Sequence, residues 1–225
     1  MKSVIQRATQ ALLACVWGVC ALSTLTACVP LAVGGAVMGG IVAADRRTTG
    51  AVVEDEGIEL RSVSRIREHL GERGHVNVTS YNRQVLLTGE VPSEQDKQLV
   101  AQIVSEVDNV RNIVNELAVM GNSSLSNRSS DFLVTGRVKA ALVDARDLFA
   151  TAFKITTERG TTYVMGRVTQ REARRATEVI SSTSGVQRVV RILEIISEEE
   201  LARMRPPEPA TMNSPHEGGG VAPGK

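Results

Sequence analysis

The sequence predicts an α+β protein made of one small unit used twice, each copy running helix, strand, strand, helix, strand. Three observations predict it. The stretches "VLLTGEVPSEQDKQLV" (residues 85–100) and "TYVMGRVTQREARRAT" (residues 162–177) share the spacing of apolar residues about a glycine, followed by a similar polar run. Apolar residues along the middle of the chain alternate between a period near 3.6 and a period of 2. Only 3% of residues are aromatic, so the core must be aliphatic.

In the first copy, Val63, Ile66 and Leu70 recur at helical spacing over residues 59–70. Val76-Asn77-Val78-Thr79 alternates as a strand, and residues 85–91 form a second strand after the polar turn Tyr81-Asn82-Arg83. Ser93 caps a helix carrying Leu99, Val100, Ile103, Val104 and Val107. Asp108-Asn109 breaks that helix, and residues 110–120 supply a third strand. In the second copy, Asp131 caps a helix carrying Val134, Val138, Ala141 and Leu142. Strands follow over residues 153–157 and 162–168, Thr169 and Glu172 make a capping box, and residues 186–196 form the last strand after Gly185. A short turn makes each hairpin antiparallel, and the intervening helix permits a parallel crossover. Each copy is then a three-stranded mixed sheet with two helices on one face. At about 65 residues a copy is only marginally able to bury a core, so packing of one copy on the other is expected. Gly89 and Gly166 mark a close backbone approach or a bulge.

The ends read differently. Lys2 and Arg7 precede a stretch without charge that lasts to Ala44. Within it, "ALLACVWGVCALSTLTAC" has the apolar body and small-residue end of a signal peptide, residues 1–27. Leu25-Thr26-Ala27-Cys28 has the form of a bacterial lipobox, in which Cys28 becomes the first mature residue and carries acyl chains. The competing reading is an uncleaved transmembrane anchor, since the charge-free stretch exceeds about 20 residues; the glycines of residues 31–44 make a poor span. Val29 after the cysteine, where Asp would signal retention, favours the outer membrane. Residues 28–53 read as a Gly/Ala-rich tether with a polar connector, and residues 201–225, rich in Pro and Gly, as a disordered tail. Cys15, Cys20 and Cys28 all lie at the N-terminus, so no disulfide can staple the two copies.

The pattern resembles the BON domain. "VNVTSYNRQVLLTGEV" with "VDNVRNIVNEL", and "KITTERGTTYVMGRVTQREA" with "SGVQRVVRILEI", carry the resemblance at residues 54–122 and 130–197. A lipobox, a tether, "DRRTTGAVVEDEGIELR" and two tandem copies together resemble the dual-BON outer-membrane lipoproteins. That resemblance implies a role in envelope stress and cell division, and an affinity for anionic lipid.

Charge separates the two copies. Residues 54–120 carry seven Lys/Arg and twelve Asp/Glu, a balance of −5, whereas residues 131–196 carry eleven and seven, a balance of +4. An anionic bilayer attracts basic segments by about 1 kcal/mol per Lys or Arg near its surface. In "DFLVTGRVKAALVDARDLFATAF", Phe132, Leu133, Leu148 and Phe149 exceed what one core stripe needs, and they stand beside Arg137, Lys139 and Arg146. Apolar side chains rimmed by cations suit an interfacial contact. The resemblance places the phospholipid contact on this same helix, at a position often held by Trp and here matched by Leu133. The expected phospholipid-binding set is Phe132, Leu133, Val134, Arg137, Lys139, Leu148 and Phe149. A second reading has Leu148 and Phe149 closing the core under a connector five residues longer than its counterpart, residues 71–75.

Catalysis finds no support in the sequence. His69, His75 and His216 do not form a metal-ligand pattern or an acid–base pair, and there is no nucleophile motif or phosphate-cradling loop. Too few aromatics interleave the modest basic balance for nucleic-acid binding. The expected function is a non-enzymatic lipoprotein on the periplasmic face of the outer membrane, with no cofactor beyond acyl chains on Cys28 and no small-molecule substrate. It binds anionic phospholipid through the second copy and supports outer-membrane integrity at division sites. The alternative is an adaptor whose acidic first copy or proline-rich tail engages envelope assembly or peptidoglycan-remodelling proteins.

Overall fold

The computed structural model describes residues 45–204. The signal segment, Cys28, the tether through residue 44 and the tail from residue 205 lie outside the described residues. The first domain comprises α1 (Thr49–Leu70), β1 (His75–Tyr81), β2 (Gln84–Val91), α2 (Glu94–Ser105), β3 (Asn112–Asn115) and β4 (Ala118–Val119). The second comprises α3 (Leu125–Asp144), a 3-10 turn (Ala150–Ala152), β5 (Phe153–Glu158), β6 (Thr161–Thr169), α4 (Gln170–Ser181) and β7 (Arg188–Ile196), followed by α5 (Glu198–Met204). Each hairpin is antiparallel, and each later strand runs parallel to the middle strand. The α+β fold with two mixed sheets is therefore the one the sequence predicts.

Strand alternation builds the layers. Val85 and Leu87 face α1 and α2, while Leu86 points to the opposite side of its sheet. Val164 faces α3 and α4, while Tyr163 and Met165 point away from them. The residues that point away from the helices meet: Tyr81, Leu86, Tyr163, Met165 and Ile192 form one buried cluster. The two sheets thus pack face to face, with a helical layer on each outer side.

A second symmetry lies in the hairpin turns. Asn82 and Arg83 have φ of 50° and 65°, and Arg159 and Gly160 have 48° and 70°, the positive pair that a two-residue turn of this hand requires. In each domain a buried aspartate on the first helix holds that turn. Asp55 accepts from the backbone N–H of Asn82 and of Arg83, both at 2.7 Å. Asp131 accepts from those of Arg159 at 2.7 Å and Gly160 at 3.0 Å. Gly89, at φ 110°, would place an added Cβ 2.0 Å from the His75 carbonyl oxygen, and Gly166 would place one 2.6 Å from that of Ala152. Close backbone approach explains both glycines.

Four expectations need correction. Helix α1 begins ten residues before residue 59, because Asp55, Ile58, Ser62, Ile66 and Leu70 form one buried face and Thr48 caps the helix. Residues 49–53 are thus helical, and Arg46 and Arg47 pack against the domains. Asp131 is not a cap: Ser124 caps α3 through the Asn127 N–H, which frees Asp131 for the turn. The third strand of the first domain is broken, since the Asn115 side chain takes the Leu117 N–H and Leu117 turns into the core. The tail begins as helix α5, whose Leu201 is buried.

Candidate membrane-facing site

Helix α3 is apolar on two faces. Val134, Val138 and Leu142 recur at i, i+4, i+8 and enter the core of the second domain. Leu125, Phe132 and Val143 are exposed and, at about 100° per residue, stand within about 20° of one another on the opposite face. Leu133 flanks this line. Arg128 and Lys139 stand along one rim and Arg137 along the other. Arg137 and Lys139 are exposed and make no ion pair among the described residues. A groove of about 420 Å³ lies over the start of the line between Leu125, Arg128, Ser129, Phe132 and Leu133. A second, of about 410 Å³, lies where α3 meets β1, with Phe132, Thr135 and Lys139 on its wall.

The seven residues expected to form a lipid contact divide by burial. Phe132 is 78% exposed, Leu133 57% and Phe149 52%, and all three face solvent with Arg137 and Lys139. Val134 and Leu148 do not: they are 4% and 8% exposed and belong to the core. Val134 lies on the inward stripe, and Leu148 closes the core under the connector while its neighbour Phe149 points out. Leu125, Val143 and Arg128 were missed. The intervals of 7 and 11 residues that join Leu125, Phe132 and Val143 were available in the sequence to find the line.

Phe149 has a further neighbour. The Arg46 guanidinium lies 6.0 Å from its ring centre. Arg46 is also bonded to both Glu172 carboxylate oxygens at 2.7 Å. Burial would raise the Glu172 carboxyl, but Arg46 and the Thr169 N–H outweigh it and hold the group below the usual carboxylate range.

Between the domains, charge is consumed internally. Lys154 meets Glu59 at 2.6 Å, Arg159 meets Glu90 at 2.6 Å and Arg188 meets Glu116 at 3.8 Å. The opposite balances of the two copies are in part the two halves of one interface. Glu90 is fully buried; burial would raise its carboxyl, but Arg159, Ser123 and His75 hold it low. Glu158 is pushed up by burial against the opposing bond from Asn77. Ligand atoms of His75, Glu90 and Glu158 all lie within 4.8 Å of one another, a grouping that could hold a cation. The guanidinium bonded to Glu90 opposes a second cation there. Among the described residues, no helix is long and apolar enough to cross a membrane.

A family model described as the BON domain matches twice, over residues 61–121 and 130–196. The chain belongs to the BON-domain family. Outer membrane lipoprotein DolP of Haemophilus influenzae is 34% identical over 175 residues, 76% of this chain and 90% of that one. A 21 kDa hemolysin of Actinobacillus pleuropneumoniae is 27% identical over 154 residues, 68% of this chain and 79% of that one. CdsD, a structural protein of the type III secretion system of Chlamydia trachomatis, aligns over 65% of this chain and 98% of its own, with 11% identity and a TM-score of 0.27. The two matched segments and the first relative identify a dual BON-domain lipoprotein of the outer membrane. Within it, Phe132 and Val143 of the exposed line lie in the second BON segment, and Leu125 just precedes it.

Proposed function

We propose that acyl chains on Cys28 hold this BON-domain lipoprotein at the periplasmic face of the outer membrane, and that α3 and Phe149 bind anionic phospholipid. The observation that carries the proposal is the exposed line of Leu125, Phe132 and Val143 with Arg137 and Lys139 at its rims. A helix with an outward apolar stripe and basic flanks lies in the headgroup plane, its apolar side chains reaching the acyl boundary and its cations meeting phosphate. Tethering raises the effective concentration of headgroups around the domain, so a weak contact suffices to seat it. The protein acts by binding, without catalysis, and supports envelope integrity where anionic lipid gathers at division sites. The adaptor alternative draws on the acidic first copy, but Glu59, Glu90 and Glu116 of that copy pair with the second domain.

Flotation of the mature chain, made without acyl chains, tests this on phosphatidylcholine vesicles with and without phosphatidylglycerol. Binding to the anionic vesicles alone, weakened by added salt, supports the proposal. Absence from both vesicle fractions overturns the α3 contact and leaves the acyl chains as the membrane attachment.

A further inference from the structure

Just before α1 begins, two arginines are set into the seam between the domains. Arg46 grips the second domain through both Glu172 oxygens and through the Arg167 carbonyl at 3.0 Å, with the two paired side chains only 6% and 3% exposed. Arg47 grips the first domain through Asp55 at 2.8 Å and lies over the Tyr81 ring at 4.3 Å. Consecutive residues therefore bind opposite domains, and the chain that leads back to Cys28 departs from that point.

We infer that Arg46 and Arg47 form a latch that fixes where the lipid tether leaves the domain pair, beside Phe149, and so orients α3 on the bilayer. The inference rests on the proposed membrane contact of α3. Residues 29–44 span at most about 60 Å even when fully extended, so the point of departure stays near the membrane that holds the acyl chains. A bidentate arginine–carboxylate pair buried in a protein seam fixes a plane as well as a distance, which a lysine cannot do. The guanidinium that holds the departure point also lies over the Phe149 ring, an aromatic side chain of the proposed contact. Two membrane attachments, the tether and the loop after α3, are thus held at one end of the same helix. Bivalent attachment gains only when both partners reach the surface together, and the latch supplies that geometry.

The test uses the acylated mature protein in phosphatidylcholine/phosphatidylglycerol vesicles. The chain holds one tryptophan, Trp17, which lies upstream of Cys28, so F149W and F132W each give a single-tryptophan probe in the mature protein. Quenching by lipids brominated along the acyl chain reports contact. Both probes are expected to be quenched, and adding R46Q should lower F149W quenching severalfold while circular dichroism shows an intact fold. E172Q, which leaves Arg46 without its anion, should act in the same direction and serves if R46Q folds poorly. The same chain made without acyl chains should bind the vesicles equally well with and without R46Q, because the latch acts through the tether. Unchanged F149W quenching in R46Q and E172Q overturns the latch and leaves the α3 contact standing. Equal loss of binding in the non-acylated chain also overturns it, assigning Arg46 to stability alone. Failure to quench either probe in the parent overturns the α3 contact itself.

Discussion

Replacing Arg159 by Met removes the guanidinium that faces Glu90, a carboxylate without solvent exposure. Arg159 gives Glu90 a bond of 2.6 Å and gives the Gly89 carbonyl one of 3.2 Å. Breaking a buried ion pair from one side destabilises by about 3–5 kcal/mol. Two features reduce that here: Ser123 and His75 still reach Glu90, and the Arg159 side chain is itself partly exposed. The expected loss at neutral pH is about 2–3 kcal/mol, or roughly 4–12 °C in Tm for a chain of this size. The deficit has a pH signature. A carboxyl held below its unfolded pKa stabilises the fold above that pKa, and the contribution fades as pH falls through the folded value. The deficit of R159M should therefore shrink below about pH 4. Adding E90Q should recover most of it at neutral pH, since no buried charge is then left alone. Urea unfolding followed by circular dichroism reads all three. A change under about 0.5 kcal/mol at neutral pH, the size of an ordinary surface substitution, would refute the reading of Arg159–Glu90 as a buried ion pair that stabilises the domain interface.

Asp131→Ala withdraws the acceptor from two N–H groups of the β5–β6 turn and should cost about 2–3 kcal/mol in urea unfolding, with Asp55→Ala at least as damaging because Ser80 and Arg47 also bind it. Gly89→Ala forces a Cβ into the His75 carbonyl at positive φ and should lower stability by more than about 3 kcal/mol, visible as a lost or strongly lowered thermal transition. Glu158→Gln should do the reverse. Burial raises the Glu158 carboxyl in the fold, so its charge opposes folding as pH rises through that pKa. The variant should raise Tm at pH 7, and the gain should vanish in acid, where the carboxyl is already protonated.

Much of the fold was legible because local chemistry and global packing agree. The capping box at Thr169 and Glu172 and the Ser93 cap lie where the sequence puts them. Residues 76–79 and 85–91 form the hairpin that the sequence predicts, and residues 85–91 do not alternate because both faces of β2 are buried. The start of α1 was hidden because Glu54-Asp55-Glu56 reads as a solvated connector, whereas Asp55 is buried against a turn 27 residues away. The same blindness to distant partners makes the charge imbalance read as a signal for outside partners, a membrane or envelope proteins, when Lys154, Arg159 and Arg188 meet acids of the other domain. On α3, Phe132 and Leu133 were visible as apolar surplus. Val134 shares the 134–138–142 stripe and belongs to the core despite standing next to Leu133, and Leu148, in the connector after α3, follows the second reading and closes the core.

The most direct measurement is the affinity of the non-acylated mature chain for phosphatidylglycerol-containing vesicles, with and without Phe132→Ser. Burying a whole phenylalanine side chain is worth about 1.5–3 kcal/mol, and 78% of this residue is available. At that fraction the variant should bind about 7-fold to 50-fold more weakly, while its free energy of unfolding stays within about 0.5 kcal/mol of the parent. Equal affinity of parent and variant would contradict the membrane-facing role of α3.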